Sequence, residues 1–222
     1  MLSHSDYFDS YNRIDNDGLQ AKELVKALMD KVDEETVLRL VPELADTIGC
    51  EQKHPAHCSD VFQHTLRVVN GLPNSKILRL TALLHDIGKI ETKVMGNDGI
   101  EHFWGHPEAS AAMAENILTR LGFDDNTKAL VVYLIQHHDS EIVTDEKEID
   151  DIAIDVGLEF FRSLNVDRIC GSEEAKQIGI AILEMLFAHQ LSDLNAHSPI
   201  YAAKKMPGLL QAMSMLDRVK DD

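Results

Sequence analysis

Tryptophan occurs once in this chain, and Phe, Tyr and Trp together supply only 5% of its residues. Packed sheets favour aromatic and β-branched side chains, so a sandwich of strands fits poorly. Cysteine is scarce as well. Cys50, Cys58 and Cys170 are odd in number and lack Cys-x-x-Cys spacing, which argues against a disulfide frame and predicts three free thiols in a reducing cytosol. No apolar run approaches the roughly 20 residues that span a bilayer. The opening MLSHSDYFDSYN has neither the positive nor the apolar region of a signal peptide. The expected compartment is the cytoplasm, with no membrane partner. Positive charge is also in short supply, with 21 basic residues against 38 acidic ones and a formal charge of −17. Such a surface repels a polyphosphate backbone, so nucleic acid is not expected as an extended partner. A small phosphorylated ligand stays compatible, because a bound metal outweighs the global field locally. Gly-x-Gly-x-x-Gly, Walker A, Gly-x-Ser-x-Gly and His-Glu-x-x-His motifs are all missing, which removes the commonest nucleotide-binding, serine-hydrolase and zincin readings.

What the chain does have is Leu, Ile, Val and Ala at helical spacing over 222 residues, enough for one sizeable domain. Residues 1–18 read as a loose lead-in and 19–222 as one all-α domain. Helical periodicity starts near Leu19 and runs, with a break, to Ile48, with Pro42 opening a new helix. Residues 49–58 read as a loop. Ser59 is the expected N-cap of the next helix, ended by Gly71 and Pro73. Asn74 or Ser75 caps a helix that runs into His85-Asp86, with Gly88 as its C-terminal glycine. Residues 90–105 read as a loop with a short hairpin at Asn97-Asp98-Gly99. Further helices are predicted over 107–121, from Asp124 or Asp125 to His138, over about 151–164 and over about 173–196. A last short helix is predicted over about 202–218. The acidic stretch 144–151 reads as a solvated loop and helix start.

Chemistry is suggested where His and Asp fall on otherwise apolar helix faces. His64 shares a face with Val61 and Val68, His85-Asp86 follows a run of leucines, and Asp193 lies between Leu191 and Leu194. A buried carboxylate needs a charged or hydrogen-bonded partner. A single core His is ordinarily a satisfied imidazole. One shared metal explains all four residues together, and imidazole and carboxylate are suitable ligands for several divalent ions.

The pattern His64, His85-Asp86, Asp193 resembles that of the HD-domain superfamily of metal-dependent phosphohydrolases. LLHDIGK (83–89) is similar to its signature, and DVFQHTLRVV (60–69) to the helix that donates its first histidine. PELADTIGCEQ (42–52), GHPEASA (105–111) and SDLNAHSP (192–199) resemble the HD region of bacterial tRNA nucleotidyltransferases, so the resemblance spans about 42–200. The polymerase head of those enzymes has no counterpart in the roughly 40 residues before it, and CCA addition is not expected.

The resemblance implies a helical bundle of the HD type and a first metal held by His64, His85, Asp86 and Asp193. It implies a second metal, bridged by Asp86, on His106 and His138. Periodicity alone admits His137 or His138, and the parallel with relatives favours His138. The metal is divalent: Mn, Fe, Ni, Zn or Mg. Lys89 is expected to contact a substrate phosphate, the alternative being a lysine that favours a helix C-terminus. Lys89, with His102 or His106, would neutralise phosphoryl charge, and Asp86 or Asp193 would orient the water or take its proton. The substrate implied is a nucleotide or another small phosphoester. The competing classes are a di-iron oxygenase of HD-type fold and a non-catalytic metal-binding module.

Other signals are weaker. IDNDGLQAKEL (14–24) suggests a calcium loop but has Arg13 and Leu24 where the key carboxylates belong. His54 and His57 read as loop histidines at the edge of the site. His189 and His197 read as helix-surface residues or as supports for the ligands.

Overall fold

The computed structural model describes residues 11–97, 99–140, 146–164 and 169–221. Their architecture is an all-α bundle with one two-residue hairpin. The helices are α1 (Leu19–Leu28), α2 (Glu34–Leu40), a 3-10 turn (Pro42–Thr47), α3 (Val61–Gly71), α4 (Lys76–Leu84) and α5 (Lys89–Thr92). Strands β1 (Val94–Met95) and β2 (Glu101–His102) pair antiparallel, with Val94 opposite His102. Then come α6 (His106–Leu121), α7 (Asp125–Gln136), α8 (Glu146–Ser163), α9 (Ser172–Ala196) and α10 (Pro199–Asp221).

Side chains cap the N-termini of four of the described helices. Ser75 Oγ accepts from Leu78 N, and Asp124 Oδ1 accepts from Thr127 N. The cap of α3 is Asp60 rather than Ser59. Its two carboxylate oxygens accept from Gln63 N at 2.7 Å and Gly49 N at 3.0 Å, while the Ser59 hydroxyl is engaged by Arg67. Gly122 ends α6 in the left-handed region, at φ 83°. Gly88 is no helix-ending glycine; it precedes α5 at φ −72°. It is small because a Cβ there would lie 2.5 Å from Ser110 N, where α6 crosses closely.

Two other boundaries differ from expectation. The last helix starts at Pro199, because proline fits a first helical turn as well as it ends a preceding helix, and it extends to Asp221. Helix α8 begins at Glu146, so most of the acidic stretch is helical, and Ile149 within it is fully buried. Of that stretch, Thr144 and Asp145 lie outside the described residues, as does Asp98 of the hairpin turn.

Helix α9 is the axis of the molecule. Ile178, Ile182, Met185 and Leu186 pack into a core shared with α1 to α4 and α6 to α8. Ile180, Leu183, Phe187 and Leu194 pack into a second core with α8 and α10. A helix buried on both sides carries no single apolar stripe. It crosses α8 closely: a Cβ on Gly157 would meet the Ala175 carbonyl oxygen at 1.8 Å, and one on Gly179 would meet that of Ala153 at 1.7 Å. Against α3 it approaches at Gly71, where a Cβ would lie 2.3 Å from Ser192 Oγ. Ser192 Oγ itself donates to the Val68 carbonyl at 2.7 Å. The segment before α1 is tied down by buried Lys76, whose ammonium pairs with Asp17 at 3.1 Å and Asp124 at 3.6 Å.

Candidate metal centre

Helix ends converge on one buried carboxylate. Asp86 follows α4, where a leucine-rich helix delivers it to the interior with 1% exposure. Its Oδ2 lies 3.3 Å from His85 Nε2 and 3.7 Å from His64 Nε2. Its Oδ1 lies 3.3 Å from His106 Nε2 and 3.9 Å from His138 Nε2. From the far end of α9, Asp193 Oδ1 reaches His64 Nε2 at 2.8 Å and His85 Nε2 at 3.8 Å. The chain thus brings together His64, His85, Asp86, Asp193, His106 and His138.

The imidazoles are oriented by a repeated device. Nδ1 of His85 bonds the Ala82 carbonyl at 2.8 Å, that of His106 the Phe103 carbonyl at 3.0 Å, and that of His138 the Ile135 carbonyl at 2.6 Å. Each acceptor is the carbonyl three residues back, which in the neutral ring puts the proton on Nδ1 and leaves Nε2 as a lone pair facing Asp86. Such a carbonyl behind a ring is the usual support of a metal-binding histidine. His85 Nε2 is buried without a hydrogen-bond partner, and the Nε2 atoms of His106 and His138 face each other at 3.1 Å. Two lone pairs so close repel unless a positive charge lies between them or beside them. The donor set therefore fits a divalent cation. Ligand atoms of His64, His85 and Asp86 lie within 4.8 Å of one another, as do those of Asp86, His106 and His138, and those of His64, Asp193 and His197. These clusters can hold metal ions, with Asp86 common to two of them.

Protonation follows the same geometry. Burial lowers the His64 imidazole below its ordinary value and pushes His138 down to about 4, so both rings are neutral at pH 7. Burial would lower His85 too, but the Asp86 and Asp193 carboxylates beside it raise it instead. Burial would raise both aspartates. His85 and Lys89 nevertheless hold Asp86 well below the carboxylate range, and the His64 hydrogen bond does the same for Asp193.

The remaining candidates sit around this cluster. Lys89 begins α5 rather than closing a helix. Its ammonium binds Asp86 Oδ2 at 2.7 Å and Gln52 Oε1 at 2.9 Å, over the Phe103 ring. His102, on β2, lines the cavity in front of the metal cluster and takes no part in the cluster itself. His137 is turned away, against Tyr133 and 3.8 Å from Glu159. The cavity has a volume of about 350 Å³, and Asp86, Asp193 and Lys89 all open onto it.

Sequence reasoning placed some site residues only at its margin and missed others. His57, treated as loop, packs its ring 5.5 Å from His64 and 4.7 Å from His197. Burial pushes it down to about 2. His197 bonds the Asp193 carbonyl through Nδ1 at 2.7 Å; its spacing of four from Asp193 was the available signal. His189, one turn before Asp193, backs His85 at 4.9 Å between ring centres. Gln52, Asp139 and Tyr201 carry no spacing signal at all.

The fold and site together are a helical bundle with a carbonyl-supported His/Asp cluster that could hold a divalent metal. Residues 56–159 match the family model of the HD domain, a superfamily of metal-dependent phosphohydrolases. That segment, 104 of the chain's 222 residues, is where the chain is similar to the HD-domain family. It includes His64, His85, Asp86, His106 and His138 and ends before Asp193. The chain is 28% identical over 130 residues to the Multifunctional CCA protein of Dechloromonas aromatica (strain RCB), covering 53% of this chain and 31% of that protein. It is 33% identical over 104 residues to the Multifunctional CCA protein of Azoarcus sp. (strain BH72), covering 45% and 24%. The chain thus spans less than a third of the curated relatives it matches.

Proposed function

We propose that the protein is a metal-dependent phosphohydrolase, a phosphomonoesterase or phosphodiesterase acting on a nucleotide or another small phosphoester. The reading rests on the Asp86 carboxylate, each of whose oxygens faces a pair of imidazole Nε2 atoms, three of the four rings being held from behind by a backbone carbonyl. In it, His64, His85, Asp86 and Asp193 hold one divalent ion, and Asp86, His106 and His138 hold a second. Bound ions of this kind lower the pKa of a coordinated water from about 15.7 toward 7 and polarise the phosphoryl oxygen.

The chain's own groups do the rest. Lys89, buried beside Asp86, supplies a cation for the phosphoryl charge that builds in the transition state. His102, on the cavity wall, adds a donor for a substrate oxygen. Asp193 is the more open of the two carboxylates, with a side chain 17% exposed against 2% for Asp86, and is the better group to orient water or accept its proton. His106 neutralises charge from the side of α6. Cys50, Cys58 and Cys170 form no disulfide, which suits the reducing cytoplasm as the compartment.

The test is elemental analysis of the purified protein, paired with hydrolysis assays on 2',3'-cyclic nucleotides, nucleoside monophosphates and bis-p-nitrophenyl phosphate. The expected result is one or two divalent ions per chain and turnover that vanishes in Asp86→Ala. Bound iron with oxygen consumption and no phosphoester turnover would transfer the protein to the oxygenase class. Full metal and activity in Asp86→Ala would sink the site.

A further inference from the structure

Trp104 is the only tryptophan of the chain and stands 71% exposed at the rim of the metal-bearing cavity. Leaving so large an apolar ring in water forgoes the burial that normally accounts for a tryptophan. The ring is nonetheless held. It lies flat on His102, with centroids 4.5 Å apart and planes at 10°. His102 is fixed in turn by its pairing with Val94 across the hairpin. Glu101, beside it, accepts from Lys53 N at 2.8 Å and pairs with Lys93 at 3.1 Å, anchoring the strand. Gly105 follows Trp104 at φ 76°, a turn open to glycine, and leads directly into His106. The indole is thus fixed in direction, covered on one face and open elsewhere, two residues from a proposed metal ligand.

We propose that Trp104 is a stacking platform for a nucleobase, so that the phosphoester taken by this site is a mononucleotide. An imidazole under the indole already makes a parallel stack, and a planar base extends it by one ring. Base–aromatic stacking is tolerant of sequence and is strong enough to set affinity. The cavity, about 350 Å³, is of the scale that encloses a small ligand. Trp104 lines the same cavity as Lys89, Asp86 and Asp193, so one occupant can meet both the indole and the cluster. The formal charge of −17 selects against a long polyphosphate strand on the surrounding surface and leaves the single nucleotide as the fitting occupant. This inference rests on the phosphohydrolase reading for the phosphate, and on Trp104 alone for the base.

A lone tryptophan makes its own reporter. The metal-loaded protein is titrated with adenosine 5'-monophosphate, and with ribose 5-phosphate as a base-free control, while indole fluorescence is followed. The expected result is saturable quenching by the nucleotide and none by the sugar phosphate. Calorimetry on Trp104→Ala should show the nucleotide's advantage over ribose 5-phosphate collapse from about tenfold or more to near one, with Trp104→Phe restoring most of it. Equal quenching by both ligands, or none by the nucleotide, overturns the platform. Quenching by the nucleotide without hydrolysis of any phosphoester upholds the platform and removes only the phosphohydrolase reading.

Discussion

Asp86 and Asp193 stand far apart in the chain, yet both carboxylates border one ring nitrogen. His64 Nε2 is 2.8 Å from Asp193 Oδ1 and 3.7 Å from Asp86 Oδ2. A buried carboxylate and a partly buried one so near one imidazole are costly without a compensating cation. Substituting either should therefore act on metal content first. Asp86→Ala is expected to lose all bound divalent metal, and turnover is expected to fall about 1000-fold or more, as several kcal/mol of charge stabilisation disappear. Mass spectrometric metal counting and steady-state assays check both.

His138→Ala separates the two halves of the cluster. Its ring touches the Oδ1 side of Asp86 and is not part of the group formed by His64, His85 and Asp86. The expected stoichiometry drops from two ions to one, with one ion still bound at the His64 side. An unchanged count of two would remove His138 from the ligand set, and His137→Ala serves as the control.

Metal removal should be visible as lost stability. An ion present at about 100 times its dissociation constant contributes about 2.7 kcal/mol by mass action. For a chain of this size that corresponds to roughly 5–10 °C in Tm. Calorimetry before and after chelation, with metal added back, reads it.

Lys76 offers a test remote from the site. Its side chain is 1% exposed and that of Asp17 is fully buried, so Lys76→Met strands a carboxylate and should cost about 3 kcal/mol at neutral pH. Burial already holds the Asp17 carboxyl above its ordinary value. A group raised in the folded state favours folding in acid and loses that contribution as pH rises through its folded pKa. Without Lys76 the value rises further, so the deficit relative to wild type should shrink between about pH 7 and about pH 4. Denaturant titrations at the two pH values measure it.

At the α8–α9 crossing, Gly179→Ala should destabilise by about 3 kcal/mol, because the new methyl group meets backbone rather than a movable side chain. A stability loss from urea titration of less than a third of that would mean the two helices can part easily.

Much of this was legible in the chain because helix periodicity and local punctuation are short-range signals. Gly122, Asp124 and Ser75 close helices through bonds to residues at most a few positions away. His64, His85 and Asp86 were legible as polar residues on apolar faces. What stayed hidden depends on tertiary approach. Gln52 reaches Lys89 from a loop, and His57 reaches His197 across the cavity. The glycine at 88 reads like a helix terminator, yet it is explained by Ser110 on another helix. Ser59 and Asp60 are equally good caps on paper; the choice was made by Arg67 and Gly49.

Gly71 and Ser192 meet where a methyl group would not fit, one position before Asp193. The missing side chain at 71 therefore works as a gauge block: its thickness sets how far the late helix can slide toward His64. A bulkier residue there would leave every coordinating atom chemically intact and still detune the centre by holding one of them at arm's length.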